Sequence, residues 1–154
     1  MPSLEEAPAP RIASADITRL APSILRRLAS MAYELLLLLG VIFFTALAFL
    51  LLAQSLDEIW RRPLLQISVF TVCGLYFVWL WRHAGQTLPM KTWHLRLVSA
   101  SGGPVSTKQA LVRYVLACTL IASGGIGIWW ALVDRDRQFL YDRLAGTRVV
   151  SSRD

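Results

Sequence analysis

Apolar and polar residues alternate in blocks along this chain, and the blocks are membrane-sized. From Leu28 to Ala53 Glu34 is the sole charge, and at about 1.5 Å per residue such a run reaches roughly 39 Å, enough to cross a bilayer with tilt. A second apolar run, Leu64 to Trp81, covers about 27 Å and is flanked by Trp60 at one end and by Trp79 and Trp81 at the other, as interfacial aromatic belts require. Between the two lies a polar turn, Ser55 to Arg62, with Pro63 expected to open the second element. The two spans are therefore expected to form an antiparallel hairpin. A third apolar run, Tyr114 to Val133, carries Ser123-Gly124-Gly125 at its middle. Ser23 after Pro22 has N-cap chemistry for the first span.

The stretches between these runs are polar. Met1 to Pro22 holds four prolines with scattered charges and no apolar core, and predicts a disordered cytoplasmic tail (residues 1–21) with a short interfacial helix near Ala13 to Leu20. Residues 22–151 then form one membrane domain, with spans at about 28–53, 64–81 and 110–133. In Gly85 to Ser106, Leu95 to Val98 followed by a Ser-Gly-Gly-Pro turn predicts one short strand. The tail from Asp134 is basic and polar.

An internal repeat constrains how the third run is placed. Gln86, Leu88, Lys91, Arg96, Leu97, Val98 and Ser99 align at an offset of 52 residues with Gln138, Leu140, Arg143, Arg148, Val149, Val150 and Ser151. Equivalent elements, pairing as strands Leu95 to Ser99 and Thr147 to Ser151, must lie on one side of the membrane. A straight third crossing would leave nine basic residues inside and seven outside. A segment that turns back at Ser123-Gly124-Gly125 leaves only Arg61 and Arg62 outside, fourteen against two, which the positive-inside rule prefers. The expected fold is an all-α membrane protein: two transmembrane helices, a third apolar segment forming a re-entrant helical hairpin, and a short cytoplasmic strand pair. The competing arrangement is a straight, Gly-weakened third span.

Composition fits this class. Hydrophobic residues make up 55% of the chain and the mean hydropathy is +0.50, too apolar for an ordinary soluble domain. The net charge of +6 accompanies the hydrophobic runs, which points to orientation and anionic headgroups and away from nucleic acid. Cys73 and Cys118 lie in apolar runs and read as packing residues, so neither a disulfide nor a metal site is expected. His83 and His94 have no partners at metal-ligand spacing, and no cofactor is expected.

Candidate chemistry centres on the first span. Arg27 and Glu34 are seven residues apart, two helical turns, and project from one face. A carboxylate in a span costs about 2.5 to 3.5 kcal/mol, so Glu34 is expected to face protein or water. Arg27 is too far along the axis for an ideal short contact, and Asp142 or Arg113 is the candidate third group. Such a cluster reads either as an ion or proton site or as a structural ion pair docking the tail. No nucleophile, base and orienting acid stand together, and catalysis is not expected.

Several stretches together resemble a family. They are Arg27 with an acid seven positions on, Gly85-Gln86-Thr87-Leu88, Leu95-Arg96-Leu97-Val98 with a Gly turn, Ala110-Leu111-Val112-Arg113, and Asp142-Arg143-Leu144-Ala145-Gly146-Thr147. This combination is similar to the RDD family of small membrane proteins, over roughly Pro22 to Val150. The resemblance implies that Arg27 and Asp142 match the name-giving arginine and second aspartate. The first aspartate is Glu34 here, and Pro89-Met90-Lys91 stands where Gly-Lys is usual. It further implies transport, including cation/proton exchange for some members. The function expected is a small transporter or transporter subunit in the plasma membrane, N-terminus cytoplasmic. It would be homo-oligomeric or joined to other membrane proteins, in contact with the lipid bilayer and with no nucleic acid. The alternative is a scaffold or accessory protein whose charge cluster is structural.

Overall fold

A computed structural model describes residues 22–134 and 138–152. The tail expected over residues 1–21 lies outside the described residues. Helix α1 spans Ile24–Leu52, its first turn capped by the Ser23 hydroxyl, which accepts from the Arg26 amide at 3.4 Å. Helix α2 follows at Glu58–His83. Both are long and apolar enough to cross a membrane. Glu34 meets Tyr76 near the start of α1 and the end of α2, while Ile42 and Ala46 sit beside Leu65 to Phe70. That register makes the pair antiparallel.

Pro63 does not open α2; it lies inside it. The Asp57 carbonyl accepts from the amides of Trp60 and Arg61 at 3.0 and 3.1 Å, so the first turn is closed before the proline is reached.

After α2 come the short helix α3, Leu88–Thr92, and strand β1, Leu95–Ser99. Helix α4, Thr107–Ala122, begins with a capping box in which Ser106 and Gln109 satisfy each other's amides. Helix α5, Ile126–Val133, helix α6, Leu140–Leu144, and strand β2, Thr147–Ser151, complete the described chain. Between α4 and α5 the axis turns by 95°. Gly124 and Gly125 both take positive φ there, a conformation that side chains resist. The third apolar segment is thus a bent pair of helices and not a straight span.

The 52-residue repeat is a repeat of structure. Helix α3 and β1 recur residue for residue as α6 and β2. The amide of Lys91 donates to the Thr87 carbonyl, as Arg143 does to Phe139; Trp93 donates to Pro89, as Ala145 does to Tyr141; His94 donates to Lys91, as Gly146 does to Arg143. The strands pair antiparallel with Leu97 opposite Val149, themselves equivalent residues, so a local two-fold axis passes between them. The flanking bonds obey it: Ser152 donates to His94 O at 2.8 Å and Ala100 to Gly146 O at 2.9 Å. Two strands alone are marginal in water, and here both outer edges are closed. Gly85 O accepts from the Leu97 amide at 2.6 Å, and the Gln138 carboxamide brackets Val149, accepting from its N–H at 3.4 Å and donating to its carbonyl at 3.5 Å. Leu95, Leu97 and Val149 then pack into a core with Trp81, Met90, Ala110 and Tyr114, joining the sheet to α2 and α4.

Candidate functional site

Helix α1 buries three residues, Arg27, Ser30 and Glu34, at spacings of three and four. Met31, Leu38 and Val41 of this 29-residue helix pack against neighbouring apolar residues, and its large exposed side chains are apolar, so the buried polar stripe faces protein and the opposite face is left for lipid. The stripe meets two different elements. At its outer end the Arg27 guanidinium donates to Asp142 Oδ2 on α6. From α4, Arg113 Nε donates to the other carboxylate oxygen at 2.8 Å. Asp142 is 0% exposed, Arg27 2% and Arg113 7%, so water competes for none of these bonds.

Aromatic rings also pack against both cations. Arg27 lies 4.0 Å from the centroid of Phe139, and Arg113 lies 4.2 Å from Trp81 and 5.4 Å from Tyr141. Tyr141 is itself buried, its hydroxyl against the Met31 sulfur at 3.8 Å. Burial, reinforced by the Asp142 charge, pushes its pKa up and keeps the phenol protonated. One carboxylate thereby ties α1, α4 and α6 together.

Glu34 sits one bond network further along α1. Its carboxylate accepts from the Tyr76 hydroxyl of α2 at 3.0 Å and from the Thr87 hydroxyl at the N-cap of α3. Those partners are neutral. The clamp of two guanidinium groups and Asp142 carries one net positive charge, which Glu34 offsets when it is ionised.

Of the four residues expected to form the site, Arg27, Arg113 and Asp142 meet directly, and Glu34 is held by hydroxyls. Tyr76, Thr87, Phe139 and Trp81 complete the constellation and were not legible as parts of it. Thr87 and Phe139 were within reach of the repeat: at its offset they occupy equivalent N-cap positions, one facing Glu34 and the other Arg27. His83 lies apart, with Nδ1 3.0 Å from the Trp79 carbonyl.

Two apolar helices of spanning length, a bent third segment and a buried charge cluster define an integral membrane protein. The family model of the RDD family matches residues 21–146, and the chain belongs to that family. It is similar to an uncharacterised protein of Rickettsia prowazekii (strain Madrid E), 31% identical over 85 residues, 55% of this chain and 47% of that protein. The chain thus matches about half the length of that curated relative. No solved structure matches it.

Proposed function

We propose that this chain is a non-enzymatic subunit of a small membrane transporter in which Glu34 handles a cation or proton and the Arg27, Asp142 and Arg113 clamp holds the fold around it. The observation that carries this reading is the division of the cluster. Asp142 has both oxygens filled by guanidinium groups, whereas Glu34, inside a span, takes its hydrogen bonds from two neutral hydroxyls. A proton or cation at Glu34 changes the net charge of the cluster by one, which gives occupancy a means to alter how α1 sits on its neighbours.

The reading includes a topology. Helix α4 follows β1 after seven residues, the chain beyond α5 leads through α6 to β2, the antiparallel partner of β1, and the break between α4 and α5 bends by 95°, which supports a segment that enters and leaves on one face. With the sheet and the N-terminus cytoplasmic, Arg61 and Arg62 remain as the external basic pair. Two spans and a bent segment do not enclose a pathway, so the functional unit is an oligomer in the plasma membrane. A second reading, a scaffold or accessory protein, is favoured by the closed Asp142 clamp.

Reconstituted vesicles carrying an imposed cation or pH gradient separate the two. The transport reading expects a flux that Glu34→Gln abolishes while the chain stays folded, since the amide oxygen accepts from one of the two hydroxyls and the amide N–H donates to the other. Equal flux from both proteins would overturn the role of Glu34, and no flux from either would overturn transport in favour of the scaffold.

A further inference from the structure

Away from Tyr114, α1 and α2 leave large apolar side chains exposed, Phe43, Leu47, Leu50 and Ile67 among them. The most apolar windows of the two helices are 0% and 11% buried. Between them lies an open groove of about 420 Å³ lined by Ile42, Ala46, Leu65, Gln66, Val69 and Phe70. Tyr114 of α4 closes its inner end, and the Tyr114 hydroxyl is already committed to the Phe70 carbonyl at 2.8 Å.

Gln66 is the polar side chain left in this wall. It is exposed, and four residues, about 6 Å along the axis, separate it from Arg62 and carry it below the headgroup level that the basic pair and Trp60 mark. A carboxamide there needs both donors and an acceptor, and an acyl chain supplies neither.

We infer that this groove is the interface between two copies of the chain, closed by a reciprocal pair of Gln66 carboxamides. The complementarity of donor and acceptor selects this occupant. A two-fold axis along the membrane normal keeps both copies in the same orientation and sets the two Gln66 side chains at the same depth, where each amide offers what the other lacks. Ala46, small and opposite Gln66 across the groove, leaves room for the approach. The interface would supply the assembly that the transport reading requires, but it rests on the groove alone and holds equally for an accessory protein.

The test uses the full chain in phosphatidylethanolamine and phosphatidylglycerol vesicles, diluted across protein-to-lipid ratios. Wild type should associate as a dimer, Gln66→Leu should weaken association by about threefold to twentyfold, and Gln66→Asn should recover part of it. In a Cys73→Ala, Cys118→Ala background, Gln66→Cys should form an oxidative dimer and the neighbouring, lipid-facing Ile67→Cys should not. A wild-type chain monomeric at every dilution, including one that retains bound phospholipid, would overturn the inference. So would an unchanged dimer in Gln66→Leu, or equal cross-linking at 66 and 67.

Discussion

Replacing Asp142 by Asn keeps the size and one acceptor oxygen of the side chain but removes its charge, and the cost follows from what surrounds it. Arg27 and Arg113 would remain buried under Phe139, Trp81 and Tyr141, with Glu34 left to balance them among the described residues of the cluster. Breaking a buried ion pair by removing one partner costs about 3 to 5 kcal/mol, and two cations depend on this one acid. Arg27→Met removes less, because Arg113 still neutralises Asp142 at 2.8 Å. The loss there includes the charge-assisted hydrogen bond to Asp142, about 1.5 to 3 kcal/mol, and the stacking on Phe139, about 1 kcal/mol.

The double variant decides whether these groups act as one unit. Asp142→Asn leaves the cluster at plus one, Arg27→Met at minus one, and the pair together returns it to zero. Their combined cost should therefore fall short of the sum of the single costs by about 2 kcal/mol, within the range found for contacting residues. Equilibrium unfolding of the detergent-solubilised chain, followed by tryptophan fluorescence and run on all four proteins, measures the coupling. Strict additivity, or an Asp142→Asn loss below about 1 kcal/mol, would refute the clamp as the element that ties α1, α4 and α6 together.

Three further outcomes follow from single positions. His94 has φ 52 where its repeat equivalent Gly146 has φ 63, so His94→Gly should stabilise by up to about 1 kcal/mol while Gly146→Ala loses about 1 to 2 kcal/mol, both read as shifts in melting temperature. A Cβ at Gly74 would lie 3.0 Å from the Tyr114 ring, which is pinned by its bond to Phe70 O, so Gly74→Ala should cost about 1 to 3 kcal/mol and increase proteolysis between α2 and α4. A reporter active in only one compartment, fused after Asp154, should signal from the cytoplasm, and an external signal would remove the re-entrant topology.

The long elements were legible because membrane insertion writes them as uninterrupted apolar runs. The strand pair was legible from the repeat, down to its residue ranges, because the recurring Leu95 to Ser99 and Thr147 to Ser151 carry the same pattern. The five-residue helices α3 and α6 were not, since one turn and a half is too short to display a helical period. Pro63 misplaced the start of α2 for a different reason: a proline signal marks a first turn, yet the closure at Asp57 placed that turn five residues earlier. Arg27, Arg113 and Asp142 could be named from charge and spacing. Their arrangement could not, because which cation reaches Asp142 depends on the angle at which α4 leaves the sheet.

The two-fold unit explains why the acids divide as they do. Its two short helices present equivalent N-cap residues to α1, Thr87 from the first unit and Phe139 from the second. Arg27 and Glu34 stand about 10 Å apart along the α1 axis, so each can address only one of them. Arg27 meets the second unit, stacking on Phe139 and bonding Asp142, whereas Glu34 meets the first through Thr87. Position 90, which the repeat equates with Asp142, is Met90 and packs in the apolar core. The first unit therefore offers Glu34 the Thr87 hydroxyl, beside that of Tyr76 on α2, where the second offers Arg27 a carboxylate. An acid at position 34 needs only the reach to touch both hydroxyls, which the longer glutamate side chain has. On the proposed transport reading, a change of charge at Glu34 would bear on the first unit, with the second still anchored through Asp142, so that one helix would hold a fixed contact and an adjustable one.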